Sequence, residues 1–197
     1  MSELRIQRFA GPDIHPFILD LAKLRITIFH DYPYLYEGDL DYEKKYLNTY
    51  VICPDSVLVV VFDDDKVVGA STAIPLKFET TEFKSPLIAA GFDINSIFYL
   101  GESVLLKSYR GNKIGERFFA EREAAALEQG CSITAFCAVD RPDDHAKRPQ
   151  DYHPLDRFWQ RLGYVKHPEL KAYYSWKEIG DDEETTKSFS FWLKYIK

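Results

Sequence analysis

The spacing of apolar side chains changes several times along the chain, and each change marks a predicted element. Residues 4–9 alternate between apolar and polar and predict a short first strand. Over 14–30 the apolar side chains recur every three or four positions, which predicts a helix that ends before Pro33. A second helix is predicted over 40–50. The chain therefore opens with one strand and two helices.

The middle of the chain has the strongest strand patterns. A continuous β-branched run over 57–62 predicts a strand that is buried on both faces. An Asp-rich turn joins it to a return strand over 66–75, which completes a hairpin. Residues 80–95 are predicted to be irregular or weakly helical. An apolar strand over 97–106 then leads through a short turn into a helix that ends near Gly130.

The last third alternates strands with one long loop and one short helix. Strands are predicted over 132–139, near 172–176 and over 188–195. The segment 140–153 is a long charged loop, and long loops in compact domains are often functional. A helix follows over 154–161. This order of elements predicts an α/β fold with a sheet of mixed direction.

Length and composition restrict the class of protein. The chain has 197 residues, so a single domain over 1–197 is expected. Its net charge of −6 argues against nucleic acid as a partner and is compatible with a cationic substrate. Aromatic residues make up 15% of the chain, more than a core alone needs, so part of this excess is expected to line a cleft.

Cysteine usage and the N-terminus indicate the compartment. The three cysteines are an odd number at wide spacing, which favours a reducing environment. No Cys/His spacing suggests zinc, so no metal is expected. The first residues contain no apolar signal region, and no apolar run approaches the ~18 residues of a membrane span. We expect a cytoplasmic protein without a membrane partner.

The strand–turn–helix segment 97–127 carries the clearest candidate chemistry. Its turn, 110–115, contains Gly111 and Gly115 and leads directly into a helix. A helix start after a tight turn offers free backbone N–H groups and partial positive charge, which suit a phosphate or pyrophosphate. The glycine spacing is that of neither a P-loop nor a dinucleotide-binding turn. This spacing makes a nucleotide-binding protein a less favoured interpretation than the two that are given below.

Two motifs resemble those of one protein family. Arg110-x-x-Lys113-x-Gly115, after a strand ending Val104-Leu105-Leu106, resembles the coenzyme A signature Gln/Arg-x-x-Gly-x-Gly/Ala of the GNAT superfamily of N-acetyltransferases. The segment 158–164, Phe-Trp-Gln-Arg-Leu-Gly-Tyr, is similar to the second marker of that family. The resemblance covers essentially the whole chain. It implies a mostly antiparallel mixed sheet with flanking helices, whose two central parallel strands splay apart to admit acetyl-CoA.

The resemblance also implies a set of coenzyme-binding residues. They are Ser103, Val104, Leu105, Arg110, Gly111, Asn112, Lys113, Ile114, Gly115, Phe158 and Trp159. The turn amides would hold the pyrophosphate, and the amides of the strand would hold the pantetheine arm and polarise the thioester carbonyl. The chain departs from the pattern at Lys113, where the family has its first glycine. Its side chain either crowds the turn or adds a cation for a phosphate.

Two side chains are candidates for proton transfer. Glu102 lies in an apolar strand beside the expected reaction centre, and partial burial would make it a better base. Equally, Glu102 could pair with a nearby cation or face solvent. The family often has a tyrosine acid where this chain has Trp159, and an indole cannot serve. Tyr152 is the nearest substitute, although it could instead contact the coenzyme or simply pack.

The acceptor pocket is the least defined part of the prediction. In the family it includes the loop after the first helix, which here contains Tyr34 and Glu37. Aromatic faces and a carboxylate would suit an ammonium group, while capping of the core by the same aromatics is an equal alternative.

The leading functional hypothesis is acetyl transfer to a primary amine of a small molecule or protein, by direct attack in a ternary complex. The alternative is a non-catalytic acyl-CoA-binding sensor or interaction module. The oligomeric state is open, a homodimer being one option.

Overall fold

The computed structural model describes residues 4–197, which form seven strands and five α-helices with short 3₁₀ segments between them. The strands are β1 (Arg5–Ala10), β2 (Val57–Asp63), β3 (Lys66–Pro75), β4 (Ile97–Leu105), β5 (Ile133–Val139), β6 (Val165–Lys177) and β7 (Glu184–Tyr195). The α-helices are α1 (Ile18–Phe29), α2 (Leu40–Ile52), α3 (Thr81–Ala89), α4 (Ile114–Glu128) and α5 (Asp156–Arg161).

The strands form one sheet in the order β1-β2-β3-β4-β5-β7-β6. Every neighbouring pair is antiparallel except β4 and β5. These two parallel strands pair only where Ile97–Tyr99 lie beside 133–135. Beyond that point β4 continues along β3 and β5 continues along β7, so a gap opens in the middle of the sheet. The prediction of a mixed sheet with splayed central parallel strands is confirmed.

Both faces of the sheet are covered, which makes the fold three-layered. Leu58, Val60 and Phe62 of β2 belong to a core that includes residues of α1, α2 and α3. Their neighbours Val57, Val59 and Val61 belong to a second core with residues of α4. Since successive side chains of a strand point to opposite faces, burial on both faces requires the unbroken apolar run.

Three predicted elements differ from the structure. The helix expected over 14–30 is a 3₁₀ segment, Gly11–Phe17, followed by α1, because Pro12 and Pro16 lack the N–H groups of a regular helix. α3 is a regular helix inside the segment expected to be weakly helical. β6 has 13 residues, far more than the predicted 172–176.

The sequence does not reveal the length of β6 because this is an edge strand. Its first half contains Lys166, His167, Pro168 and Glu169, which do not alternate with apolar residues. A register shift between His167 and Lys171 interrupts its pairing with β7. An edge strand exposes one backbone edge, where proline and charged residues are tolerated.

Candidate active site

A cleft of about 1080 Å³ occupies the gap between β4 and β5. It extends from the turn before α4 to the inner faces of α1 and α2. The structure brings nearly all predicted site residues to this one cleft. Among them, Val104 and Asn112 do not line it.

The turn before α4 presents a row of backbone donors. The N–H of Arg110 donates to Lys107 O at 3.2 Å, and that of Arg117 donates to Lys113 O at 3.2 Å. The N–H groups of 111–116, which lie between them, donate to no backbone carbonyl within residues 4–197. Since α4 has 15 residues, its dipole adds partial positive charge at this end. The turn therefore fits a pyrophosphate group.

The conformation of Lys113 explains the glycine of the family pattern. Lys113 lies at the N-terminus of α4 in the left-handed region, with φ of 59°. A residue with a Cβ is strained there, whereas glycine is not. Lys113 adopts this conformation nonetheless, and its side chain is exposed. The turn thus forms without the glycine, and a cation stands beside the free amides.

Gly115 lies where α4 and α5 approach each other. A Cβ on Gly115 would be 3.2 Å from Cζ of Phe158. Trp159 packs edge-on against Phe136 and Trp192, with centroids at 5.0 and 5.1 Å. The second sequence marker therefore supports the wall of the cleft and the core beneath it.

The edge of β4 that faces the gap supplies further donors. The N–H of Leu106 donates to Val68 O of β3, and that of Glu102 donates to Thr72 Oγ1. Since the direction of the N–H alternates along a strand, Val104 also faces β3, while Ser103 and Leu105 face the gap. Of the three predicted strand donors, the geometry leaves Ser103 and Leu105 free to contact an extended arm.

Glu102 is both buried and paired. Its side chain is in contact with Arg25 of α1, and the same guanidinium bridges to Glu43 of α2. Burial raises the pKa of Glu102, and the charge of Arg25 opposes that rise. The sequence left burial beside the reaction centre and pairing with a cation as alternatives, and the structure combines them.

Sequence reasoning missed Arg25 and Glu43. A local signal existed for Glu43, because it interrupts the apolar positions Leu40, Leu47 and Tyr50 on the buried side of α2. A carboxylate at such a position has to be paired or hydrogen-bonded. Its partner lies on another helix, however, and nothing in the local pattern identifies Arg25.

Tyr152 lines the cleft in the loop before α5. Its ring meets Tyr32 edge-on at 4.6 Å, and the guanidinium of Arg148 lies 5.4 Å from its centroid. Burial raises the pKa of Tyr152, which keeps the phenol protonated at neutral pH. The geometry allows a proton donor here, and the role of Tyr152 stays a prediction.

The two predicted acceptor residues have different surroundings. Tyr34 packs against Phe29 and Trp176, and burial raises its pKa to about 12. Glu37 is exposed and forms an ion pair with Lys177 at 3.2 Å. Tyr34 is therefore part of an aromatic wall, whereas Glu37 lies at the rim. Their contact with an acceptor stays a prediction.

Within residues 4–197 no group of three or more His, Cys, Asp or Glu side chains could hold a metal ion. None of the helices in the described range has the length and apolar character needed to cross a membrane.

A splayed sheet, a helix start with free amides at one end of the gap and a buried carboxylate at the other define an α/β protein with one continuous cleft. The family profile described as Acetyltransferase (GNAT) family matches residues 22–164, and the chain belongs to that family. No curated protein sequence matches the chain significantly.

Solved structures share the fold at low sequence identity. A ribosomal-protein-alanine N-acetyltransferase from Brucella melitensis has a TM-score of 0.60 at 12% identity, with 98% of this chain and 99% of that chain covered. An acetyltransferase of the GNAT family from Streptococcus pneumoniae has a TM-score of 0.58 at 15% identity, with 98% and 100% covered. A protein of Salmonella typhimurium assigned as an acetyltransferase, solved with its cofactor acetyl-CoA, has a TM-score of 0.60 at 11% identity, with 98% and 94% covered.

Proposed function

We propose that the protein transfers the acetyl group of acetyl-CoA to a primary amine of a small molecule or protein. Membership of the GNAT family implies an acetyltransferase. The observation that carries the proposal is the continuity of the cleft. One cavity runs from the free amides at the start of α4, along the open edge of β4, to the carboxylate of Glu102.

Each part of this cleft has one task. The amides of 111–116 and the cation of Arg110 bind the pyrophosphate. The amides of Ser103 and Leu105 hold the pantetheine arm and the thioester carbonyl, as an added strand would be held. The carbonyl carbon then lies within reach of an amine in the other half of the cleft, so that positioning lowers the barrier.

Proton movement completes the reaction. The amine nitrogen forms a bond to the carbonyl carbon as the bond from that carbon to sulfur breaks. An acceptor that arrives as an ammonium ion first releases one proton to solvent, so that the attacking nitrogen is neutral. Glu102 accepts the proton that this nitrogen loses on attack, directly or through a water molecule, and burial raises its pKa in the direction that makes it a stronger base. Tyr152 gives a proton to the departing thiolate. The products are an acetylated amine and free coenzyme A.

A second candidate function is an acyl-CoA sensor. Two observations favour it: Glu102 is already bound to Arg25, and Trp159 occupies the position of the usual acid and packs against the core. A sensor would bind acetyl-CoA through the same turn without passing on the acetyl group.

The decisive experiment measures acetyl-CoA binding and amine-dependent thiol release with a panel of amines. We expect Arg110→Ala to weaken acetyl-CoA binding by about tenfold or more, since a charge-assisted hydrogen bond contributes about 1.5–3 kcal/mol. Arg117→Ala is the matched control, because Arg117 pairs with Glu121 on the exposed side of α4. Glu102→Gln should lower turnover at neutral pH and leave acetyl-CoA affinity unchanged.

Three results would change the assignment. Binding of acetyl-CoA without thiol release for any amine would favour the sensor. Competition by ATP but not by coenzyme A would favour a nucleotide site. Equal effects of Arg110→Ala and Arg117→Ala on acetyl-CoA affinity would contradict the proposal that the turn before α4 binds the pyrophosphate.

A further inference from the structure

We infer that Glu43 binds the acceptor's ammonium group, and that the acceptor is a compact monoamine with an apolar body. This inference rests on the proposed function, because it concerns the acceptor half of the same cleft. It adds a residue and a chemical class of substrate that the family assignment does not supply.

The buried charges in this half of the cleft are unbalanced. Glu43 is 0% exposed and Glu102 is 6% exposed, yet one guanidinium, that of Arg25, serves both carboxylates. Each uses Oε2 for Arg25, and Oε1 of each has no hydrogen-bond partner within residues 4–197. A buried acceptor without a partner is costly. A primary ammonium offers one positive charge and three N–H donors, which would neutralise the site and satisfy both oxygens.

Aromatic side chains form the walls of this half of the cleft. Arg25 lies over the rings of Phe29 and Tyr46, so aromatic faces already enclose one cation here. Burial and the negative charge of Glu43 both raise the pKa of Tyr36, which places that hydroxyl near the carboxylate. The other aromatic side chains that line this half of the cleft are Tyr34, Tyr42, Phe83, Tyr99, Tyr174 and Trp176. Such rings stabilise an ammonium and an attached aromatic or alkyl body.

A second positive charge on the acceptor would lack a free partner on the loop before α2. The loop 31–39 contains three carboxylates at the rim, and all are engaged. Asp31 pairs with Lys107 at 2.9 Å, Glu37 pairs with Lys177 at 3.2 Å, and Asp39 accepts from the N–H of Tyr42 at 2.7 Å. A diamine or polyamine would find no free carboxylate on this loop for its second ammonium.

A contact between α2 and β6 narrows this half of the cleft. The hydroxyl of Tyr42 on α2 contacts the hydroxyl of Tyr174 on β6, and Phe83 of α3 stacks on Tyr174 with centroids 6.1 Å apart. These three side chains line the same cleft as Glu43. We therefore expect a compact amine to reach Glu43 more readily than a polypeptide.

The test measures amine binding to the full chain by calorimetry in the presence of coenzyme A, alongside acetyl transfer. The probes are 2-phenylethylamine, its neutral analogue 2-phenylethanol, 1,4-diaminobutane and a peptide with a free N-terminus. We expect 2-phenylethylamine to be bound and acetylated in preference to the other three. Glu43→Gln should weaken its binding about tenfold or more, with acetyl-CoA affinity unchanged. Asp41→Asn, which removes an exposed carboxylate of α2 that pairs with Lys44 and does not line the cleft, should leave both affinities unchanged.

Several results would overturn the inference: preference for the diamine or the peptide, equal binding of 2-phenylethanol, or equal effects of Glu43→Gln and Asp41→Asn. If Glu43→Gln fails to fold, Glu43→Asp can be used instead: it keeps the charge, and its shorter side chain should still weaken the binding of 2-phenylethylamine. The selectivity of the wild type among the four probes tests the inference independently. Amine binding without thiol release would defeat the proposed function and leave this site intact. Acetyl transfer that is unchanged in Glu43→Gln would support the proposed function and contradict the assignment of Glu43.

Discussion

Lys113 shows how a single residue departs from its family pattern while keeping the backbone that the pattern requires. A left-handed conformation costs a residue with a Cβ about 1–2 kcal/mol, while glycine loses about 0.5–1 kcal/mol more in chain entropy on folding. We therefore expect Lys113→Gly to stabilise the protein by at most about 1.5 kcal/mol. Urea unfolding would measure the change.

The charge of Lys113 is tested by the same variant and a second one. Lys113→Asn tolerates the left-handed region and is neutral. Both variants should bind acetyl-CoA up to about fivefold more weakly, because an exposed ion pair contributes about 0.2–1 kcal/mol. If only the glycine variant lost affinity, backbone rigidity and not the cation would explain the role of this position.

Glu79 should make the stability of the fold depend on pH. Its side chain is buried, with Tyr50 Oη at 3.5 Å and the N–H of Thr80 at 3.0 Å, and burial raises its pKa to about 7. The folded protein therefore holds a proton that the unfolded chain, with a carboxyl pKa of about 4.3, releases. The free energy of unfolding should fall as pH rises through this window and stay low above it.

Glu79→Gln removes that titration. Between pH 5 and pH 8 the wild type should lose on the order of 2–3 kcal/mol more stability than the variant, because one pKa unit corresponds to about 1.4 kcal/mol. Glu82→Gln is the neighbouring control, since hydrogen bonding lowers the pKa of that exposed carboxyl. Identical pH slopes for wild type and Glu79→Gln in denaturant titrations would contradict the assignment.

Residue-scale prediction from sequence succeeds where the chemistry is local. The turn 110–115 is recognisable because backbone donors, glycine and a helix start are adjacent in the chain. Arg25, Glu43 and Glu102 form their cluster from two helices and a strand, so no window of sequence contains it. Tyr34 and Glu37 both lie on the loop before α2, but packing makes Tyr34 a half-buried part of the aromatic wall and leaves Glu37 in an ion pair at the rim.

At the scale of elements, the contact between α4 and α5 is the one most open to test. Alanine in a helix is favoured over glycine by about 1 kcal/mol, but a Cβ at Gly115 would press on Phe158. Gly115→Ala should therefore destabilise the wild type or leave it unchanged, and stabilise a Phe158→Leu background by about 0.5–1 kcal/mol. A double-mutant cycle by urea unfolding measures this coupling. If Gly115→Ala changed the free energy of unfolding equally in both backgrounds, the added Cβ would not be in steric conflict with Phe158.

Elements are predicted best where burial imposes a pattern. β2 is buried on both faces and its predicted bounds are nearly right, while β6 has one free edge and is predicted at less than half its length. The 3₁₀ segment is merged with α1 in the prediction because apolar spacing cannot distinguish the two helix types over seven residues. The hydrophobic pattern therefore indicates which positions are buried. It indicates the backbone conformation only where the burial of successive residues depends on that conformation.

At the scale of the whole molecule, a buried arginine of α4 connects this helix to the sheet beside the gap. Arg122 of α4 is 1% exposed and donates to Thr72 O of β3 and to Glu102 O and Ser103 Oγ of β4. These contacts lie where the register of β3 and β4 shifts. The same helix that presents free amides to the cleft thus also fixes the strand that carries Glu102. The order of elements and the resemblance predict the splayed strands, but not this link from α4 to β3 and β4.

Because both ends of the cleft depend on α4, binding at the turn should stabilise the whole fold. A ligand present at 100 times its Kd adds about 2.7 kcal/mol to the free energy of unfolding. For a chain of this length, 1 kcal/mol shifts the Tm by roughly 2–4 °C, so acetyl-CoA should raise the Tm by roughly 5–10 °C. Scanning calorimetry measures this shift, with ATP at the same concentration as a control that should leave the Tm unchanged. Arg110→Ala should need several-fold more acetyl-CoA for the same shift, whereas Arg117→Ala should not. A shift produced equally by ATP would mean that the turn recognises phosphates in general and that the rest of the cleft contributes nothing to the choice of ligand.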